Sequence, residues 1–148
     1  MKLVVDTNVL FSFFKKESFT SELLFTPTLE LISPEFSLRE LQKYSGEIMR
    51  KSKINNKIFD ALLFLLKEQV EFIPEHQYRD ELKHALSVLK RVSPRKEVEE
   101  FLDDIDLFAL ALKERCPIWS QEEFFKKQTI IEVFDTTTLA KYLRSHPW

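Results

Sequence analysis

The sequence predicts an α/β fold, a three-layer α/β/α sandwich around a central parallel sheet of four or five strands. Short runs of β-branched and other apolar residues alternate with longer segments whose apolar residues recur at helical spacing, the order that builds a parallel sheet. The first run, Leu3-Val4-Val5, is apolar at consecutive positions, as expected of a strand covered on both faces. Gly46 is the single glycine in 148 residues, which excludes the dinucleotide fingerprint and the phosphate-binding loop, since each needs several.

In chain order, residues 2–6 read as a strand ending in Asp6, and a helix follows from about residue 8. Leu29-Glu30-Leu31-Ile32-Ser33 is a second strand, closed by Pro34. A helix carries Leu38, Leu41, Ile48 and Met49, and another runs from about 55 to 68 with Ile58, Leu62, Leu65 and Leu66 on one face. Val70-Glu71-Phe72-Ile73-Pro74 is a third strand. Residues 75–91 form a helical stripe through Tyr78, Leu82, Ala85, Leu86 and Leu89, which Ser93-Pro94 interrupts. The helix over about 96–115 is apolar nearly all round from Ile105 to Leu112 and so belongs in the interior. Pro117-Ile118-Trp119-Ser120 and Ile130-Ile131-Glu132-Val133-Phe134 are the fourth and fifth strands, with helical turns over 121–128 and 137–145.

Length and composition predict one domain over residues 1–148, with 14 phenylalanines supplying much of the core. Cys116, the one cysteine, precludes an intrachain disulfide or a zinc cluster and fits a buried apolar role in a reducing compartment. The first residues lack a signal-peptide pattern, and the longest apolar run, residues 61–66, falls far short of the ~20 residues a membrane helix needs. A soluble cytoplasmic protein is expected. The net charge of −2 gives no general attraction to nucleic acid, so a polyanion must be held by a local basic patch or by metal ions.

Strand C-termini and helix N-termini share one edge of such a sheet, where ligands bind in open α/β folds. Four acids are predicted to meet there: Asp6 ends the first strand, Glu40 lies early in the helix after the second, Asp104 starts the buried helix, and Glu122 follows the fourth strand. Carboxylates converging on one cleft need a counter-charge, and hard divalent cations such as Mg²⁺ or Mn²⁺ supply it. Each acid also has a structural reading. Asp6 or Thr7 can cap the first helix; Ser37-Leu38-Arg39-Glu40 and Ser120-Gln121-Glu122-Glu123 both match capping boxes. In Asp103-Asp104-Ile105-Asp106, residues two apart point in roughly opposite directions, so Asp104 and Asp106 do not face one metal together.

Leu3-Val4-Val5-Asp6-Thr7-Asn8-Val9-Leu10, Pro34-Glu35-Phe36 through Glu40-Leu41, Asp103-Asp104-Ile105 leading into Ala109-Leu110-Ala111-Leu112, and Pro117-Ile118-Trp119-Ser120 together resemble the PIN domain family over nearly the whole chain. The likeness is to the small stand-alone prokaryotic PIN proteins related to VapC-type toxins. It implies a Mg²⁺- or Mn²⁺-dependent ribonuclease that hydrolyses single-stranded RNA, with Asp6, Glu40 and Asp104 matching its first three acids. Asp106 matches a position that close relatives often fill with proline. The fourth block departs from the family's Asn-Asp-x-Asp-Phe: this chain has Gln121-Glu122-Glu123-Phe124-Phe125, so Glu122 offers a carboxylate on a longer stem and Phe124 offers none. That weakens the case for a tightly held second metal.

On this reading Thr7, Asn8 and Ser120 orient a carboxylate or a metal-bound water. Arg39, Lys43 and Lys126 are candidate contacts to the RNA backbone, within a wider basic set of Arg50, Lys51, Lys53, Lys57 and Lys127. His76, His84 and His146 show no metal-ligand spacing. Phe11, Phe13, Phe14, Phe19, Leu23, Leu24 and Phe25 exceed what one short helix needs for a core; buried packing is the expected use of most of them, and part of the surface is a candidate homodimer or higher oligomer face or a groove for an antitoxin peptide. Two other functions compete: a PIN-like binding module without efficient hydrolysis, favoured by the altered fourth block, and a phosphatase with Asp6 as nucleophile, disfavoured by Asn8 where a second acid is usual.

Overall fold

The computed structural model describes residues 1–15 and 18–147. Five parallel strands, β1 (Lys2–Val5), β2 (Glu30–Pro34), β3 (Val70–Ile73), β4 (Ile118–Trp119) and β5 (Val133–Phe134), form one sheet in the order β3-β2-β1-β4-β5. The helices are α1 (Thr7–Ser12), α2 (Phe19–Leu24), α3 (Glu35–Lys43), α4 (Ser45–Ser52), α5 (Asn56–Gln69), α6 (Leu82–Val92), α7 (Leu102–Glu114) and α8 (Thr136–Ser145). The three-layer α/β/α architecture expected from the sequence is the one found.

Period-two alternation divides each strand between two cores. Leu3, Val5, Leu31, Val70, Trp119 and Phe134 pack with residues of α1–α5 and α8, including Leu10, Leu24, Leu41, Phe59, Leu66 and Leu139. Val4, Ile32, Ile73 and Ile118 face the other way, onto Ala85, Val88 and Leu89 of α6 and Ile105, Phe108 and Ala109 of α7. The chain first winds from β1 to β2 to β3, then returns past the starting strand to lay β4 beside β1. Right-handed crossovers move to the opposite face when the winding reverses, which is why α6 and α7 cover the second face. Trp119, Phe101, Phe108 and Phe125 are fully buried and contribute about 1.5–3 kcal/mol each.

Several boundaries differ from the sequence reading. The helix through Leu38 and Met49 is two, α3 and α4, hinged at Tyr44 with φ −99° and ψ 20°. The helix expected from about residue 8 is likewise divided into α1 and α2. Residues 75–91 open with two 3-10 turns, Glu75–Gln77 and Arg79–Glu81, because Pro74 starts a fresh turn and Tyr78 leaves helical geometry before α6 begins. A 3-10 turn over Val98–Phe101 precedes α7, which begins at Leu102. Strands β4 and β5 each pair over only two residues. Of the apolar cluster at 11–25, Phe13, Phe14, Leu23 and Leu24 are buried, whereas Phe19 and Phe25 are exposed. Cys116 is buried as expected, and burial pushes its thiol up to about 11.

Candidate active site

The reversal of winding falls between β1 and β4, so the crevice beyond their C-terminal ends is a topological switch point. The ladder fixes what stands there. Val5 pairs with Trp119, the Asp6 N–H donates to the Trp119 carbonyl at 3.0 Å, and the Ser120 N–H donates to the Phe134 carbonyl at 2.9 Å. Asp6 and Ser120 are thereby the neighbouring residues that leave the two strands.

Asp6 is 5% exposed and caps α1. Its Oδ2 accepts the Ser120 hydroxyl at 2.7 Å, and its Oδ1 accepts the Asn8 backbone N–H at 3.4 Å. Ser120 Oγ in turn accepts the Glu122 backbone N–H at 3.0 Å, and the Asn8 side-chain amide donates to Glu122 Oε1 at 3.0 Å. Asp6, Ser120, Glu122 and Asn8 therefore close a ring of hydrogen bonds across the crevice. The capping reading of Asp6 and the site reading hold together, because one carboxylate serves both.

The other two caps do not form. Helix α3 starts at Glu35, two residues before Ser37, whose hydroxyl instead lies 2.7 Å from the Thr7 hydroxyl in a buried pair that ties α3 to α1. Thr7 thus meets Ser37 through its side chain and favours the Asp6 carboxylate through its backbone N–H. Ser120 is engaged with Asp6 and Glu122 and does not cap the turn over Glu123–Lys127.

Asp104 reaches the site from the first turn of α7. Burial, followed by the like charges of Asp6, Asp103 and Glu122, pushes its carboxyl up to about 7, against the opposing charge of Lys96. Burial also raises Asp6, and the hydrogen bonds from Ser120 and Asn8 work against that rise. Asp103 is raised by burial and lowered by Lys43. Asp106 is occupied elsewhere: its Oδ2 accepts the Tyr78 hydroxyl at 2.7 Å.

The structure thus brings Asp6, Asp104 and Glu122 into one electrostatic cluster together with Asp103. Glu40, half-buried on α3, is not among the charges that act most on Asp6 or Asp104. Among the basic candidates, Lys43 acts on Asp103, while Arg39 acts on Asp106. Lys126 is engaged by Asp135 at 2.6 Å and Glu123 at 3.5 Å. Asp103, which the sequence left open beside Asp104, bears on the cluster. One residue that the sequence reading missed does so too: Lys96 lies eight positions before Asp104, across the 3-10 turn over Val98–Phe101.

Among the described residues, no three His, Cys, Asp or Glu side chains stand close enough to form a ready-made metal cage. The donor chemistry still suits a hard cation. The groups are oxygen donors of one charge sign, with Asp104 pushed up to about 7 by burial and then by its acidic neighbours, and Mg²⁺ commonly keeps several waters while using one or two carboxylates.

The PIN domain profile matches residues 4–143. No curated protein matches the chain in sequence. Among solved structures, a chain in the crystal structure of VapBC2 from Rickettsia felis bound to a DNA fragment from their promoter is similar in fold, with a TM-score of 0.67 and 15% sequence identity over 91% of this chain and 98% of that chain. The profile takes in Asp6, Glu40, Asp104 and Glu122 alike, and the chain belongs to the PIN domain family.

Proposed function

We propose that this protein is a Mg²⁺- or Mn²⁺-dependent endoribonuclease that hydrolyses phosphodiester bonds of single-stranded RNA at the β1/β4 crevice. PIN domains are typically nucleases and generally use divalent metal ions. The observation that carries the reading is the meeting of acids at the switch point: hydrogen bonds through Ser120 and Asn8 tie Asp6 to Glu122, and burial, followed by their like charge, pushes the Asp104 carboxyl up to about 7.

Asp6 and Asp104 are the principal metal ligands on this reading, with Glu122 and Glu40 as the further acids. A bound cation would polarise the scissile phosphate and lower the pKa of the attacking water. The chain's own groups do the rest. Ser120 and the Asn8 backbone hold the Asp6 carboxylate in one orientation and favour its charged form. The Asn8 amide fixes Glu122 at the crevice wall. Asp104 must release its proton before it can serve as a ligand, so metal affinity should rise as pH increases toward about 7.

The reading extends to an antitoxin-type protein partner, in keeping with the VapBC2 neighbour, to self-association, and to a cytoplasmic location. Ile58, Phe64 and Leu65 of α5 are exposed apolar residues available to a second copy. No described helix is long and apolar enough to cross a membrane.

A second reading, a PIN-like module that binds RNA or protein without efficient turnover, is favoured by Phe124. Its ring packs 4.5 Å from that of Phe125 and lies under the Lys96 ammonium, where the family's pattern carries an acid. The two readings part in one assay: end-labelled single-stranded RNA incubated with Mg²⁺, Mn²⁺ or EDTA. Metal-dependent cleavage leaving 5′-phosphate and 3′-hydroxyl ends supports hydrolysis. Binding without cleavage supports the module, and cyclic phosphate ends would contradict attack by water.

A further inference from the structure

A groove of about 700 Å³ opens beside the acid cluster, between α1 and α4. Its wall includes Asn8, Phe11, Lys15, Tyr44, Lys51 and Gln121. The volume lies within the ~300–1,000 Å³ of pockets that enclose cofactor-sized ligands. Two of these residues join it to the site. Asn8 is the residue that bridges Asp6 and Glu122, and Gln121 sits between Ser120 and Glu122 in the chain.

Tyr44, at the α3/α4 hinge, is 37% exposed and meets Phe11 edge-on at a centroid separation of 6.4 Å. The Lys43 ammonium lies 5.2 Å from the centre of the Tyr44 ring, and the same charge acts on Asp103 of the acid cluster. Lys51 is held 2.8 Å from Glu47 on the groove wall. An aromatic face, cations beside it, and direct continuity with a cluster of carboxylates are the parts from which single-stranded nucleic acid sites are assembled.

We propose that this groove is a nucleotide subsite in which Tyr44 stacks a base of single-stranded RNA and Lys43 holds the adjoining phosphate, delivering the next phosphodiester to the acid cluster. The proposal rests on the ribonuclease reading and adds to it the part of the substrate that is gripped. The charge pattern favours RNA over an apolar peptide, because Lys43 lies against the Tyr44 ring and its charge also reaches Asp103 of the acid cluster, which sets a cation between the base site and the acids where a phosphate must pass. It also supplies a physical reason for a single-strand preference. In a duplex each base face is already stacked on its neighbours, whereas an unpaired base offers a free face to Tyr44.

The test uses the Asp6→Asn protein, in which binding is read without cleavage, and fluorescence anisotropy of labelled single-stranded RNA. Adding Tyr44→Ala should weaken binding about tenfold, the order of one base–aromatic stack, while Tyr44→Trp retains affinity. RNA of the same length with abasic riboses should bind more weakly by a similar factor and be indifferent to Tyr44→Ala, a control that does not depend on how the variant folds. Unchanged affinity in Tyr44→Ala, or an undiminished effect of that substitution on abasic RNA, overturns the subsite and leaves the groove to a protein partner. If wild-type protein cleaves RNA while Tyr44→Ala binds it normally, only the subsite fails. If RNA is neither bound nor cleaved, the ribonuclease reading fails with it.

Discussion

Replacing Asp104 with Asn should stabilise the metal-free protein at alkaline pH, although it deletes a carboxylate from the acid cluster. The folded-state carboxyl sits at about 7, above its ordinary 3.8, so between those values the native state binds more protons than the unfolded chain, and stability falls as pH rises through that window. From about pH 5 to the folded value near 7, each pH unit costs about 1.4 kcal/mol, a loss of about 2–3 kcal/mol by pH 8.5 from this group. The neutral amide of Asp104→Asn does not titrate and escapes that loss. At about 3 °C per kcal/mol for a chain of this size, the variant's melting temperature should gain about 5–10 °C on wild type between about pH 5 and about pH 8.5. Thermal melts in EDTA at the two pH values measure it. Millimolar Mg²⁺ or Mn²⁺ should restore wild type at high pH and leave the variant nearly unaffected, because only wild type retains the full acid set. Parallel pH profiles for the two proteins would refute the claim that burial and like charge hold the Asp104 carboxyl above its ordinary range.

Ser120→Ala removes the hydroxyl donor to Asp6 and leaves its carboxyl less readily ionised; metal affinity, read by titration calorimetry, should fall about 10–100-fold. Asp106→Asn should keep metal-dependent activity, since that side chain serves Tyr78; a loss equal to that of Asp104→Asn would show the assignment of the two acids to be wrong. Asp135→Ala removes both the cap of α8 and the partner of Lys126, and should cost about 1–2 kcal/mol in urea unfolding at neutral pH. The wild-type Asp135 carboxyl is held down to about 2, so that contribution is present above the ordinary 3.8 and lost as pH falls toward 2. Arg115 ends α7 at φ 52°, a left-handed conformation, and Arg115→Gly should raise stability by about 0.5–1 kcal/mol in the same assay.

The strands and their order along the chain were legible because a doubly covered strand is apolar at consecutive positions. Leu3 to Val5 and Ile118-Trp119 are buried on both faces and read that way. The α3/α4 hinge at Tyr44 was not legible, because neither proline nor glycine marks it; Gly46 lies inside α4. Lys53 and Arg115 take left-handed caps that sequence rules assign to glycine or asparagine, so those helix ends carry no local signal. At the site, the sequence gathers Asp6, Glu40, Asp104 and Glu122 because strand ends and helix starts share an edge; in the fold Asp6, Asp104 and Glu122 act on one another, whereas Glu40 is not among the main charges on Asp6 or Asp104. The ring through Asn8 and Ser120 depends on the Val5–Trp119 register, which spacing alone does not give. The positions of Lys96 against Asp104 and of Asp106 against Tyr78 follow from how α7 packs against α6 and against the 3-10 turns that precede each of these helices.

The most direct measurement is cleavage of single-stranded RNA by wild type beside Asp6→Asn and Asp104→Asn, each with Mg²⁺, Mn²⁺ or EDTA and each verified as folded by circular dichroism. The account predicts cleavage by wild type that requires metal and is lost in both variants. Cleavage that persists in either variant, or that proceeds in EDTA, would contradict an acid cluster that acts by holding a divalent cation.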